Sequence, residues 1–149
     1  RDVVGLKKAF SALGLTLPEP RRIVIAGDKA AGWMSPDEYL LILSYGAVND
    51  ALASLATSLA GKHHLAANVS DAHAVFRIEG DKADQVLKKI APADIDGLAE
   101  GELRRSRAAQ VAAAFWRDGQ GYTLVCFRSV AGYMMGLLSH SAQPGSELF

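Results

Sequence analysis

A single cysteine, Cys126, stands in 149 residues. One thiol cannot form an internal disulfide or a cysteine-based metal cluster, so a reducing cytoplasm is the expected compartment. An excess of either charge is also lacking. Lys plus Arg and Asp plus Glu number 16 each, and the net charge is zero. A nucleic-acid binder usually carries a basic field, so no nucleic-acid partner is expected. No apolar run approaches the roughly 20 residues that cross a bilayer, and no signal peptide is visible. The chain opens on Arg1 and not on methionine, which leads us to expect an upstream piece. Phosphate loops are missing too. "GDKAAG" follows a strand but does not match G-x-G-x-x-G, and no P-loop run exists.

What the chain does hold is apolar. Hydrophobic residues counted with Tyr make up 50%, and mean hydropathy is +0.10. Exchanging the 4 Tyr for the 14 Gly gives roughly 57%, above the roughly 45–50% of ordinary soluble domains. Such a chain has either a generous core or a face buried against a partner. Its length suits one domain, 1–149, with a helix and linker in residues 1–20 and a loose tail in 143–149.

Periodicity sets the elements. "DVVGLKKAFSAL" places Val3, Leu6, Phe10 and Leu13 near one helical face, and Gly14 and Pro18 end it. "RRIVIAG" reads as a strand, "DKAAGWMSPDE" as a loop, and "YLLILS" as an apolar strand covered on both faces. "GAVNDALASLATSLAG" is a helix with Val48, Leu52, Leu55 and Leu59 on its stripe. "HLAANVS" and "HAVFRIEG" are extended segments. Asp81 is placed to cap a helix whose buried stripe is Ala83, Val86, Leu87 and Ile90. "APADIDGLAEGELRRS" reads as a polar connection. "AAQVAAAFWR" and "GYTLVCFR" form a hairpin around "DGQG", and a last helix runs from about Val130 to Ser141. Together these predict an α+β, two-layer sandwich, with helices on an antiparallel or mixed sheet. Two ββα units, "RIVIAG…YLLILS…helix" and "AAAFW…YTLVCF…helix", suggest a weak internal duplication.

Chemistry is harder to find. Cys126 sits mid-strand between apolar neighbours, where a thiol is a small buried hydrophobe; only Arg128 could lower its pKa. Ser129 precedes the last helix and suits a cap, since "RSVAG" lacks the first glycine of a G-x-S-x-G elbow. A hydrolase built on Cys126 or Ser129 with His140 is the enzyme reading, but His140 lies near a helix C-terminus, 14 residues from the cysteine. His63 and His64 are adjacent, so in a strand they point to opposite faces and suit no shared metal. Asp94 and Asp96 read as a solvated loop. Trp33 is either an interface anchor or a lid on its own core. Along the last helix Val130, Tyr133, Met134, Leu137 and Leu138 form an apolar stripe. Gly132, Gly136 and Ser139 form a flat small-residue stripe, where a strand, a helix or another subunit could approach closely.

Three blocks, in order from about Ile23 to Ala142, carry a family resemblance. "GWMSPDEYLLIL" resembles the W-x-x-P-D-E-W-L-L block of the gamma subunit of heterotetrameric sarcosine oxidase. "NVSDAHAVFRIEGDKADQVLKKIAPADID" and "AAQVAAAFWRDGQGYTLVCFRSVAGYMMGLLSHSA" resemble its next and closing blocks. Tyr39 and Asn68 depart from the family pattern. The resemblance implies a fold similar to the folate-binding domain of the glycine-cleavage T-protein. It implies a non-catalytic small subunit that stabilises a complex with larger alpha and beta subunits and a delta subunit. That complex demethylates sarcosine to glycine with FAD, FMN and NAD and passes the one-carbon unit to tetrahydrofolate. Its covalent flavin sits on a histidine of the beta subunit, so His63, His64, His73 and His140 are not assigned that role. No cofactor or metal is expected on this chain. Trp33, Gly132, Gly136 and Ser139 become the candidate interface, and a stand-alone folate-binding module is the alternative function.

Overall fold

The computed structural model describes residues 3–148. They form four α-helices and seven strands in two antiparallel sheets, an α+β fold. The chain divides into two compact units, Arg1–Ser70 and Asp71–Phe149.

In the first unit, helix α1 (Val3–Ala12) buries Ala9 and Phe10, with Leu6 and Leu13 on the same face. It closes in a Schellman turn. The Gly14 N–H donates to the Ser11 carbonyl at 2.9 Å and the Leu15 N–H to the Phe10 carbonyl at 3.0 Å. Gly14 takes φ 74°, which costs a residue without a Cβ nothing. Strands β1 (Ile23–Ala26), β2 (Lys29–Ser35) and β3 (Glu38–Ile42) follow as a meander in the order β1-β2-β3. A one-turn 3-10 segment (Tyr45–Ala47) then leads into α2 (Val48–Ser58), which buries Ala51 and Leu55. Strand β2 corrects the expected loop. Gly27, at φ 65°, and Asp28 make a two-residue hairpin loop, and the chain returns as "KAAGWMS". Ala30, Ala31 and Gly32 are weak strand formers, but a fully buried Ala31 fits where the helices crowd the sheet. Trp33 therefore sits on a strand, opposite Tyr39. Strand β3 is only half-buried, not covered on both faces. "HLAANVS" is no strand, because no neighbour pairs with it, and Leu65 is 92% exposed.

The second unit holds β4 (His73–Glu79), α3 (Ala83–Ile90), β5 (Leu103–Ala108), β6 (Val111–Asp118) and β7 (Gly121–Phe127). A 3-10 turn (Arg128–Val130) and α4 (Ala131–Ser141) close it. The sheet order is β4-β7-β6-β5. Strand β5 lies inside the expected polar connection. Its three arginines mask the alternation, while Leu103 and Ala108 at its ends are buried. Charge along an edge strand also discourages pairing with other chains. Asp81 does not cap α3; Lys82 holds that position with no side-chain bond. Instead Asp84 in the first turn favours the helix dipole and accepts from Lys88 Nζ at 2.7 Å. Lys88 also pairs with Asp96 at 2.6 Å. The segment after Ser141 is tied down rather than loose. Lys89 Nζ donates to the Ser141 carbonyl (2.7 Å) and Ser146 Oγ (2.9 Å), and the Leu148 N–H donates to Gln85 (3.0 Å). Phe149, the end of the expected tail, lies outside the described residues.

Both units share the order helix, three-strand meander, 3-10 turn, helix. The core-facing positions match as well. Leu6, Ala9, Phe10 and Leu13 of α1 correspond to Ala83, Val86, Leu87 and Ile90 of α3. Tyr39, Leu41 and Leu43 correspond to Tyr122, Leu124 and Cys126; Ala51 and Leu55 correspond to Met134 and Leu138. The duplication is thus α-βββ-α, longer than the ββα read from the sequence, and β1 answers to β5 rather than β6.

The Lys88 hydrogen bond holds the Asp84 carboxyl below its usual range. A lowered native pKa adds stability above the ordinary value of 3.8, and that stability is lost as pH falls through the native value. Asp84→Asn should therefore lower the thermal midpoint at pH 7, and the deficit should close below about pH 3.8 in a pH series of melting curves.

Candidate functional site

Each chemically suggestive residue has a definite place. Cys126 is 3% exposed on the inner face of β7, between Ala74 of β4 and Ala113 of β6. Its Sγ donates to the Phe127 carbonyl at 3.6 Å. Burial pushes the thiol pKa up, the reverse of what a nucleophile needs. Ser129 is exposed within the 3-10 turn and makes no capping bond, so the expected cap is absent; Val130 is the N-cap of α4. His140 is exposed in the last turn of α4. A buried thiol and two exposed groups do not make a nucleophile with its base.

Most of the remaining candidates have structural partners. His63 and His64 are exposed beyond α2, and His64 Nδ1 lies 2.9 Å from the Lys62 carbonyl. His73 stacks on Phe127 with ring centroids 5.4 Å apart. Asp94 accepts from the Gly97 N–H at 3.0 Å, while Asp96 pairs with Lys88. Among the described residues no group of three His, Cys, Asp or Glu is placed to hold a metal. An open groove of about 690 Å³ runs beside β4, α3, α4 and the closing segment. Its Lys89 is committed to the Ser141 carbonyl and Ser146.

Helix α4 is different in kind. Met134 and Leu138 face the core, whereas Gly132, Tyr133, Met135, Gly136 and Ser139 are exposed. A Cβ built on Gly132 or Gly136 would meet nothing within 4 Å. Among the described residues of this unit, no strand or helix takes up the close approach that the two glycines allow. Trp33 is half-buried on β2 in the other unit.

The model of the sarcosine oxidase gamma subunit family matches residues 4–143. The chain belongs to this family. The sarcosine oxidase gamma subunit of an Arthrobacter species is 31% identical over 114 residues, 74% of this chain and 55% of that one. The gamma subunit of Corynebacterium sp. strain P-1 is 28% identical over 120 residues, 78% of this chain and 58% of that one. The chain thus spans little more than half the length of these two relatives. Among solved structures, a chain of heterotetrameric sarcosine oxidase from Corynebacterium sp. U-96, in complex with pyrrole 2-carboxylate, superposes with a TM-score of 0.82. It is 22% identical, and the match covers 94% of this chain and 73% of that one. At that identity the likeness establishes the fold, which agrees with the two-sheet α+β architecture.

The apolar side chains of Val75 and Phe127 are exposed. Alternation along β4 and β7 places both on the face opposite Phe76, Ile78 and Cys126.

In native protein, iodoacetamide should leave Cys126 unmodified over the time that denatured protein is fully alkylated, as read by intact mass. Equal rates in the two states would return the thiol to the list of candidate nucleophiles.

Proposed function

We propose that this gamma-family chain is a non-catalytic subunit of a heterotetrameric sarcosine oxidase and stabilises its assembly with larger alpha and beta subunits and a delta subunit. The reaction assigned to that assembly is the oxidative demethylation of sarcosine to glycine, with the one-carbon unit passed to tetrahydrofolate. FAD, FMN and NAD belong to the other subunits in this reading. Family membership over residues 4–143 is the observation that carries it. The fates of Cys126, Asp94 and Asp96 support it, because each is engaged in holding the fold.

Comparison of the two units supports α4 as the docking face. Positions Asn49, Asp50, Leu52 and Ala53 of α2 correspond to Gly132, Tyr133, Met135 and Gly136 of α4. The same outward place is mixed and polar in one unit and flat and apolar in the other. Exposed aromatic and Met side chains around small residues suit a desolvated protein contact. Ser139 continues this face by one turn, and Trp33 would mark a separate contact.

Co-expression of the tagged chain with the alpha, beta and delta subunits tests the reading. The wild-type chain should retain them on the tag. Gly136→Glu has open space and should fold with an unchanged circular dichroism spectrum, yet lose at least about tenfold of the retained subunits, since an unpaired charge is costly in a dry interface. Failure of the wild-type chain to retain any subunit would refute the assembly role. Full retention by the variant would remove α4 from the interface.

A further inference from the structure

In the second unit the meander does not end in an open edge. Strand β4 lies along β7, in register from His73 opposite Phe127 to Glu79 opposite Gly121. It joins α3 through the three residues Gly80, Asp81 and Lys82. Its inward side chains Phe76 and Ile78 complete the core. Against it, Tyr122, Leu124 and Cys126 are 6%, 0% and 3% exposed. In the first unit the corresponding strand is β3, and its outer edge pairs with no described strand. The corresponding residues Tyr39, Leu41 and Leu43 are only half-buried.

The ladder fixes which backbone groups face out. The Trp33 N–H donates to the Arg22 carbonyl at 2.9 Å, so Trp33 and Ala31 of β2 bond toward β1, and Gly32 and Ala30 toward β3. Leu40 and Ile42 are the β3 residues opposite Gly32 and Ala30. Leu41 between them turns its N–H and carbonyl away from β2. The run Tyr39–Leu43 is wholly apolar and carries no proline or lysine. Open edges of that composition are a pairing liability that proteins cover. The other outer strand of the second unit, β5, has three arginines instead.

We propose that the outer edge of β3 accepts an added antiparallel strand, supplied by a segment of the same polypeptide that leads into α1 as β4 leads into α3. This strand brings two alternating apolar side chains over the half-buried Tyr39, Leu41 and Leu43. The internal repeat supplies its place and direction. The matched relatives are longer than this chain, since the aligned stretches are 74% and 78% of this chain but 55% and 58% of them. The inference stands apart from the proposed function, because it concerns the chain by itself.

The test is amide hydrogen exchange at Leu41, read by NMR, in three forms of the isolated chain. One is the chain alone. One carries a copy of Ala72–Lys82, β4 with its connection, fused ahead of Val3. One carries the same residues scrambled. Exchange at Leu41 should slow at least tenfold in the β4 fusion relative to both others. If the fusion does not fold, the Ala72–Lys82 peptide added to the chain alone replaces it, with the same expected slowing against the scrambled peptide. Equal rates with native-order and scrambled segments would overturn the proposal. So would slowing that appears only when partner subunits are added, which would give the edge to them.

Discussion

A three-stranded antiparallel meander that is apolar on one face cannot stand in water by itself, and two helices must cover that face. The fold depends on this constraint, and the chain meets it twice. In the second unit Leu87 of α3, Phe115 of β6, Leu124 of β7 and Met134 of α4 are all fully buried. In the first, Phe10 of α1, Ala31 of β2, Leu41 of β3 and Ala51 of α2 take these places. The volumes are distributed differently. A large Phe10 on the helix goes with a small Ala31 on the strand in one core, and Leu87 with a large Phe115 in the other. Phe10 fills its space partly by meeting Tyr39 edge-on, with ring centroids 5.2 Å apart. Close packing tolerates such exchanges when total volume is kept.

The sequence showed this frame wherever an element had a strong period. All four helices, the extended segment of β4 and the "DGQG" hairpin were legible. Strands β2 and β5 were not, for opposite reasons. In β2, alanine and glycine carry little strand signal, although the Gly27–Asp28 pair is a hairpin loop in its own right. In β5, arginines interrupt the run, and only the buried ends Leu103 and Ala108 mark it. With both strands unread, the repeat was paired one strand out of step. The extended segment near Leu65 failed for another reason. Periodicity reports what a strand would bury, but not whether a neighbour exists to pair with it.

The candidate chemistry was legible only as residue types. Cys126, Ser129 and His140 are close in sequence, but a strand core, a turn and a helix end separate them in function. The pair Asp94 and Asp96 resolves into a loop-closing acceptor and a partner for Lys88. The last helix read as two-faced in the sequence, and Met134 and Leu138 are buried as expected, but Tyr133 of the same expected apolar stripe is 53% exposed beside the glycines. For the glycines the structure sharpens that reading, because a Cβ added at Gly132 or Gly136 would meet nothing within 4 Å among the described residues. The matching face of α2 carries Asn49 in place of Gly132, Asp50 in place of Tyr133 and Ala53 in place of Gly136. A duplicated scaffold with one polar and one apolar copy of the same face is what a packing subunit with a single principal docking side would have.

Hydroxyl-radical footprinting of the assembled enzyme against the free chain tests that account most directly. Tyr133 and Met135 are 53% and 55% exposed in the free chain, and Tyr45 of the other unit is 73% exposed. Assembly should suppress oxidation of Tyr133 and Met135 at least several-fold and leave Tyr45 as reactive as before. Unchanged oxidation of Tyr133 and Met135 in the complex would contradict the assignment of α4 as the docking face.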